Sequence, residues 1–592
     1  MRSTLTIRKP AFAADRATMA AGCLLSCFVV WWYLTANRYQ TLFYQEQTQM
    51  FLFSRDYFLQ YLKTPGGIAG YAGAFLTQFF RFPAAGAGVY LLVFWWLCRS
   101  CRALFRRFAV FEASFFVPFV PALLLLPASA GLMFRLGDAI ALAAALSGFP
   151  LLLKLTRARL YFLWLPPAVL LLYAVAGGNM MCCALLLPLH ALRRGEGRGM
   201  RPLAVFAFMM LVPLACRRFP YTVDVETAYF ACTPFLHPQG QAFFFGMAAW
   251  CAACILPPAG MLSAKARLPA KVTLTLNMAL AAGVLWAALK SYRPDTERII
   301  EMGCAAENGE WQRVIDLGKK TPPSPVKCFY VNLALQQSGQ LLHRMFACDQ
   351  IGTEGLLISA QDNFTCGVLG EFYFRLGLVN EARRYAFESM VGYSCYGEMN
   401  VRNVKRLLEC ALMSGDRRLA DKYDALLRKT LFYRNCRETL RSLPEPAEPK
   451  NMLIAGVPEL LEAILEKHPA HRMAFEYLMA YRMLEGEYEK AKECYRRHRA
   501  EMPYDALPEH IAELLTLYRY VSGAEEDFYL EYPVARDTRE HFDLMDQLLH
   551  YGTDDPQIWQ AMEERYGDTY WFYIQFPLVS LPKMQQNEKT IY

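Results

Sequence analysis

Four side chains able to ionise or to hydrogen-bond strongly, Glu112, Arg135, Asp138 and Asn277, stand inside otherwise apolar runs of this 592-residue chain. A charge at membrane depth is costly, and such residues are candidates for handling an ion, a proton or a substrate. Arg135 and Asp138 are three apart, so on a helix they share a face and can pair. The plainer alternative is that they neutralise each other near the outer end of a membrane helix. Glu112 is close enough in sequence to reach back toward Arg106 and Arg107. Two Cys-x-x-Cys pairs, Cys98–Cys101 and Cys251–Cys254, have the spacing of a redox or metal motif. Neither has a His partner and the second lies in an apolar run, so buried thiols are expected, with no metal and no cofactor. The chain carries no Gly-rich loop ending in Lys-Ser/Thr, no His-Glu-x-x-His and no Gly-x-Ser-x-Gly.

The elements that would position these residues follow from charge and hydropathy. Residues 1–291 carry 26 Lys/Arg against 8 Asp/Glu, and residues 292–592 carry 36 against 46. The acidic second half excludes a nucleic-acid binder, which needs a basic face against phosphates. The first half holds apolar runs near 17–36, 83–98, 113–134, 136–153, 160–177, 179–192, 202–216, 243–260 and 272–290. A helix crosses a bilayer in about 20 apolar residues, so these runs predict about nine spans. No small-x-small cleavage site follows the first run, which reads as an uncleaved helix anchored by Trp31, Trp32 and Tyr33. With the N-terminus in the cytoplasm, 18 loop cations fall inside and six outside. With nine spans that bias puts residues 292–592 outside the cytoplasm, in the periplasm where the membrane is a bacterial inner (cell) membrane and otherwise outside the cell.

The segment 37–82 is too polar at its start to cross the bilayer and is broken at Pro65-Gly66-Gly67. It predicts two helices lying on the outer face with their aromatic side chains buried, in contact with membrane lipid. Its order, Asp56-Tyr57-Phe58, then Pro65-Gly66-Gly67, Tyr71 and an aromatic stretch before the second run, resembles the first outer loop of GT-C class membrane glycosyltransferases. The resemblance implies a lipid-linked sugar donor and a loop carboxylate as general base on the acceptor hydroxyl. Asp56 is then the base and Glu46 the second choice. Arg135 or the pair Arg217 and Arg218 would hold the phosphate. The sequence departs from that class in having a lone Asp56 behind Arg55, which suits the solvated face of a surface helix.

Beyond residue 292 the pattern changes to amphipathic helices of 12–18 residues. Gly309, Gly377, Gly415 and Gly486 each precede a small or apolar residue by five positions: Val314, Ala382, Ala420 and Ala491. The intervals of 68, 38 and 71 residues are near multiples of about 34, as in helix-pair arrays. The fullest copies, EFYFRLGLVNEARRYAFESM and FEYLMAYRMLEGEYEKAKECY, resemble tetratricopeptide repeats. The resemblance implies an α-solenoid over 292–530, capped by 531–592, whose concave surface takes a protein partner. Eight cysteines scattered over its helices, from Cys304 to Cys494, read as core thiols. The whole chain also resembles an uncharacterised family of bacterial membrane proteins pairing a multi-span half with a repeat half. The expected class is therefore all-α, and the expected role a partner-docking protein of the cell envelope, with the sugar transferase as alternative.

Overall fold

The computed structural model describes residues 30–576, leaving aside 37, 109–118, 130, 133, 159, 194–200, 237–239, most of 264–291, 392–398, 440–442, 449–455 and 551–555. Among the described residues the chain is all-helical, with a lone bridge between Ile351 and Thr353 and no strand. It forms two compact units, Met1–Pro294 with Lys429–Tyr433, and Asp295–Arg428 with Arg434–Tyr592.

The first unit contains α1 (Tyr39–Gln47), α2 (Arg55–Tyr61), α3 (Gly67–Thr77), α4 (Pro83–Arg107), α5 (Val120–Ala128) and α6 (Leu136–Arg157). It continues with α7 (Tyr161–Ala176), α8 (Met180–Arg193), α9 (Arg201–Cys216), α10 (Val225–Phe230) and α11 (Gly240–Ser263). Nine spans are expected from the apolar runs. Instead, three described helical runs are long and apolar enough to cross a membrane: Pro83–Arg107, Leu136–Arg157 and Tyr161–Leu192. Hydropathy records burial in lipid or in protein alike, whereas a span also needs about 30 Å of helix. Among its described residues the 113–134 run supplies the nine-residue α5, and α9 has 16 residues. The two runs expected at 160–177 and 179–192 make one apolar stretch, interrupted by a short 3-10 turn at Gly177–Asn179. The expected spans at 17–36 and 272–290 fall largely outside the described residues.

What holds this unit together is close helix packing. Tyr90, Leu97, Ala141, Phe149, Val169, Tyr173 and Cys182 form a shared buried core. Helix α3 meets the start of α6 backbone to backbone: a Cβ on Gly73 would sit 2.4 Å from the Gly137 nitrogen. Only glycine permits that approach. The other sides of the helices are apolar and exposed, with Leu92 and Trp95 on α4, Phe162 and Trp164 on α7, and Leu203 on α9.

The second unit runs through α12 (Pro294–Glu307), α13 (Trp311–Gly318), α14 (Pro325–Gln337), α15 (Leu341–Arg344), α16 (Asn363–Arg375), α17 (Val379–Val391), α18 (Val401–Met413) and α19 (Arg417–Leu427). It ends in α20 (Val457–Lys467), α21 (Arg472–Leu484), α22 (Tyr488–His498), α23 (Glu509–Ser522), α24 (Phe528–Glu531), α25 (Arg536–His550), α26 (Pro556–Tyr566) and α27 (Tyr570–Gln575). Successive helices pack as pairs, α16 on α17, α18 on α19 and α21 on α22. Several starts are fixed locally. Asp362 and Thr365 form a capping box, and Asn400 and Asp416 accept from Asn403 N and Leu419 N.

The turns inside those pairs pass through Gly377, Gly415 and Gly486 at φ of 80°, 71° and 72°, and Gly309 has 70°. Gly377 is the most constrained, because a Cβ there would meet Glu445 O at 2.3 Å. Ala382, Ala420 and Ala491 are fully buried on the following helices. The main core gathers Phe329, Tyr330, Phe372 and Tyr477, while Phe542, Met562, Tyr566 and Trp571 of the last helices form a smaller one.

Candidate functional site

The polar centre of the first unit is the Gln45-Glu46-Gln47 run at the end of α1, buried in all three residues. A helix end brings unsatisfied carbonyls and, in this case, three consecutive polar side chains, so partners must converge on it. Gln45 donates to Ser129 O at 3.1 Å and Gly131 O at 2.8 Å, and accepts from the Tyr90 hydroxyl at 3.0 Å. Glu46 accepts from the Tyr433 hydroxyl, 2.9 Å from Oε1 and 2.8 Å from Oε2. Gln47 Nε2 completes the cluster at 2.5 Å from Glu46 Oε2 and 2.6 Å from the Tyr433 oxygen.

Tyr433 is held from both ends. Arg81 lies over its ring at 4.8 Å, and Phe432 meets Phe79 and Phe82 edge to face. Burial first, and then the adjoining Glu46 charge, push the Tyr433 hydroxyl well above its ordinary value. It therefore acts as a hydrogen-bond donor to the carboxylate rather than as an acid. Sequence reasoning gave no sign of Tyr433, which stands 387 residues from Glu46.

Asp56 is elsewhere. It occupies the first turn of α2, behind the Ser54 cap that accepts from Tyr57 N, and it is exposed together with Arg55. No ion pair joins it to Arg135, Arg217 or Arg218 among the described residues. Arg135 is the half-buried N-cap of α6, with Asp138 in that helix's first turn. Arg217 and Arg218 follow the end of α9. The structure thus puts the four candidate residues on three separate elements. Glu112 and Asn277 lie outside the described residues.

The Pro65-Gly66-Gly67 break serves as a junction. Gly66, at φ 71°, donates from its nitrogen to Tyr173 O, and Gly178 N donates to Ala231 O. Asn179 Nδ2 reaches Cys232 O at 2.6 Å, and the Tyr173 hydroxyl reaches Ala228 O at 2.7 Å. These bonds fix the loop 64–67, the 3-10 turn and α10 against one another, which leaves α2 as the exposed part of segment 37–82.

In the second unit the buried acids are tied by cations. Glu371 accepts from Arg375 Nε at 2.7 Å and pairs with Arg406, while Arg402 pairs with Glu307. Burial raises the Glu371 pKa, but the Arg406 and Arg375 charges outweigh it and bring it to about 2. Glu476 is held by Arg472 at 2.8 Å, Gln336 and Tyr504. Such networks favour one arrangement of the helices, and every acid in them is already engaged. Among the described residues no disulfide joins Cys98, Cys101, Cys251, Cys254 or the seven described cysteines of the second half.

With this geometry in hand, the profile of a family of unknown function (DUF6057) matches residues 15–577, nearly the whole chain. The chain belongs to DUF6057. No curated protein and no solved structure matches it. The DUF6057 match spans both units, so the apolar half and the helix-pair half go together as one family architecture.

Proposed function

We propose that this protein is a multi-pass docking protein of the cell envelope, with its N-terminus in the cytoplasm and residues 292–592 on the outer side. In this reading the first half is embedded in the membrane through its long apolar helices, as the three described ones and the loop cations suggest. The second half is a tetratricopeptide-like array whose concave face takes a protein partner. The observation that carries the reading is the recurrence of a helix, a left-handed glycine and a helix with a buried alanine, at Gly377 and Ala382, Gly415 and Ala420, and Gly486 and Ala491. Exposed Leu92, Trp95, Phe162 and Trp164 on the first unit suit contact with lipid tails. The test is a photo-crosslinking amino acid placed in cells at exposed Phe387, Met399 and Leu544. A discrete adduct shared by neighbouring positions is expected; no adduct at any of them sinks the docking role.

A second reading is favoured by one observation: exposed Asp56 has a carboxylate outside every ion pair among the described residues. In a sugar transferase using a lipid-linked donor, Asp56 would accept the acceptor hydroxyl's proton as its oxygen attacks the sugar and the lipid phosphate leaves. Arg135, or Arg217 and Arg218, would steady that phosphate. Glu46 suits the role less, since its carboxylate is buried and already accepts from Tyr433 and Gln47.

A further inference from the structure

A cleft of about 210 Å³ opens between α23, α24 and α25 in the second unit, lined by Arg519, Glu526, Tyr529, Arg539 and Asp543 among others. That volume holds a molecule of several heavy atoms rather than a single ion. The guanidiniums of Arg519 and Arg539 both lie over the Tyr529 ring, 4.8 and 4.5 Å from its centroid. Their Nε atoms are buried and have no hydrogen-bond partner. Among the described residues neither arginine has a carboxylate within 4.0 Å, and neither Glu526 nor Asp543 has a cation. Arg536, at the mouth, is neutralised by Glu540 at 2.7 Å.

This differs from the rest of the unit, where the half-buried Arg375, Arg402, Arg406 and Arg482 each hold an acid. Two like charges gathered on one ring repel each other, and buried guanidinium donors left unmade are costly. An oxyanion bridging their outer guanidinium nitrogens would relieve the repulsion, and phosphate suits the fork of a guanidinium best. The two free carboxylates in the same cleft call for a cation on the same molecule, since a lone phosphate would sit against their charge.

We propose that this cleft binds a phosphate ester bearing a primary ammonium, of the phosphoethanolamine class, with Arg519 and Arg539 on the phosphate and Glu526 and Asp543 on the ammonium. The group comes either from a free metabolite or from a lipid headgroup.

The test is calorimetric titration of the full-length protein in detergent with O-phosphoethanolamine, inorganic phosphate and ethanolamine. O-phosphoethanolamine should bind at least about tenfold more tightly than either fragment, because only it meets both charges. Arg539→Gln and Asp543→Asn should each weaken it about tenfold or more, and Arg565→Gln, an exposed arginine on α26, should not. Arg539→Lys keeps the charge but loses the stacked fork, so it too should weaken binding, and the melting temperature of each variant confirms its fold. Competition by a short-chain phosphatidylethanolamine assigns the lipid source, and its failure the free one, the cleft being occupied in either case. No binding up to about 10 mM, equal binding of inorganic phosphate, or equal loss in Arg565→Gln overturns the proposal.

Discussion

The Tyr433 hydroxyl donates to both carboxylate oxygens of Glu46, at 2.9 and 2.8 Å, and both residues are buried in the first unit. A carboxylate in that setting needs each of its donors, because desolvation has already removed water as a substitute.

Tyr433→Phe removes this phenol donor from the Glu46 carboxylate. The expected loss of stability is about 1–3 kcal/mol, seen as a lower melting temperature of the purified protein. Glu46→Gln should recover part of that loss in the double variant, since a neutral amide no longer needs the phenol's proton. A Tyr433→Phe protein that melts with the parent would show the contact to be idle.

Gly73→Ala forces a methyl group into the Gly137 backbone, to within 2.4 Å of its nitrogen. Overpacking of this kind costs about 1–3 kcal/mol. Gly88→Ala on α4 is the control, because nothing lies within 4 Å of its Cβ position. If the two variants have equal stability, α3 and α6 do not pack as described.

Acid should weaken the second unit through Glu371. Its folded pKa is depressed from 4.5 to about 2, so its contribution is complete above the unfolded value and is lost as pH falls from about 4.5 toward 2. The shift corresponds to about 3 kcal/mol at neutral pH. Glu371→Gln should flatten the stability profile across that window, read by tryptophan fluorescence on chemical unfolding. Glu371→Ala, which takes from Arg406 and Arg375 the acid they share, should cost about 3–5 kcal/mol at pH 7. An unchanged acid profile in Glu371→Gln would assign the loss to other groups.

The proposed orientation of residues 292–592 has its own measurement. A reporter fused after Tyr292 should be active only outside the cytoplasm, since 18 loop cations favour the inner side and six the outer. Cytoplasmic activity of that fusion reverses the orientation.

Asp56→Asn separates the two functions. A general base supplies roughly 10²–10⁴-fold in rate, whereas an exposed helix residue changes stability by no more than about 0.5 kcal/mol. Cells lacking the protein are compared with cells carrying Asp56→Asn for lipid-linked sugars and glycans. A transferase requires both to share one defect. With no glycan change on deletion, the docking role stands alone.

The sequence by itself determined the helical class, the apolar and amphipathic halves and the recurrence of Gly377, Gly415 and Gly486 five residues ahead of an alanine, because these rest on local composition and spacing. Period and turn chemistry act over a few residues, so they can be read without a fold. Only the tertiary structure decided which apolar runs become long helices, because a run of Leu and Ala is equally content against lipid or against α3 and α6. Nor could spacing reveal that Glu46 would be buried under Tyr433, or that Arg519 and Arg539 would share Tyr529. Those pairings join segments that touch only after helices pack, and the polar groups they satisfy acquire their cost only once water has left.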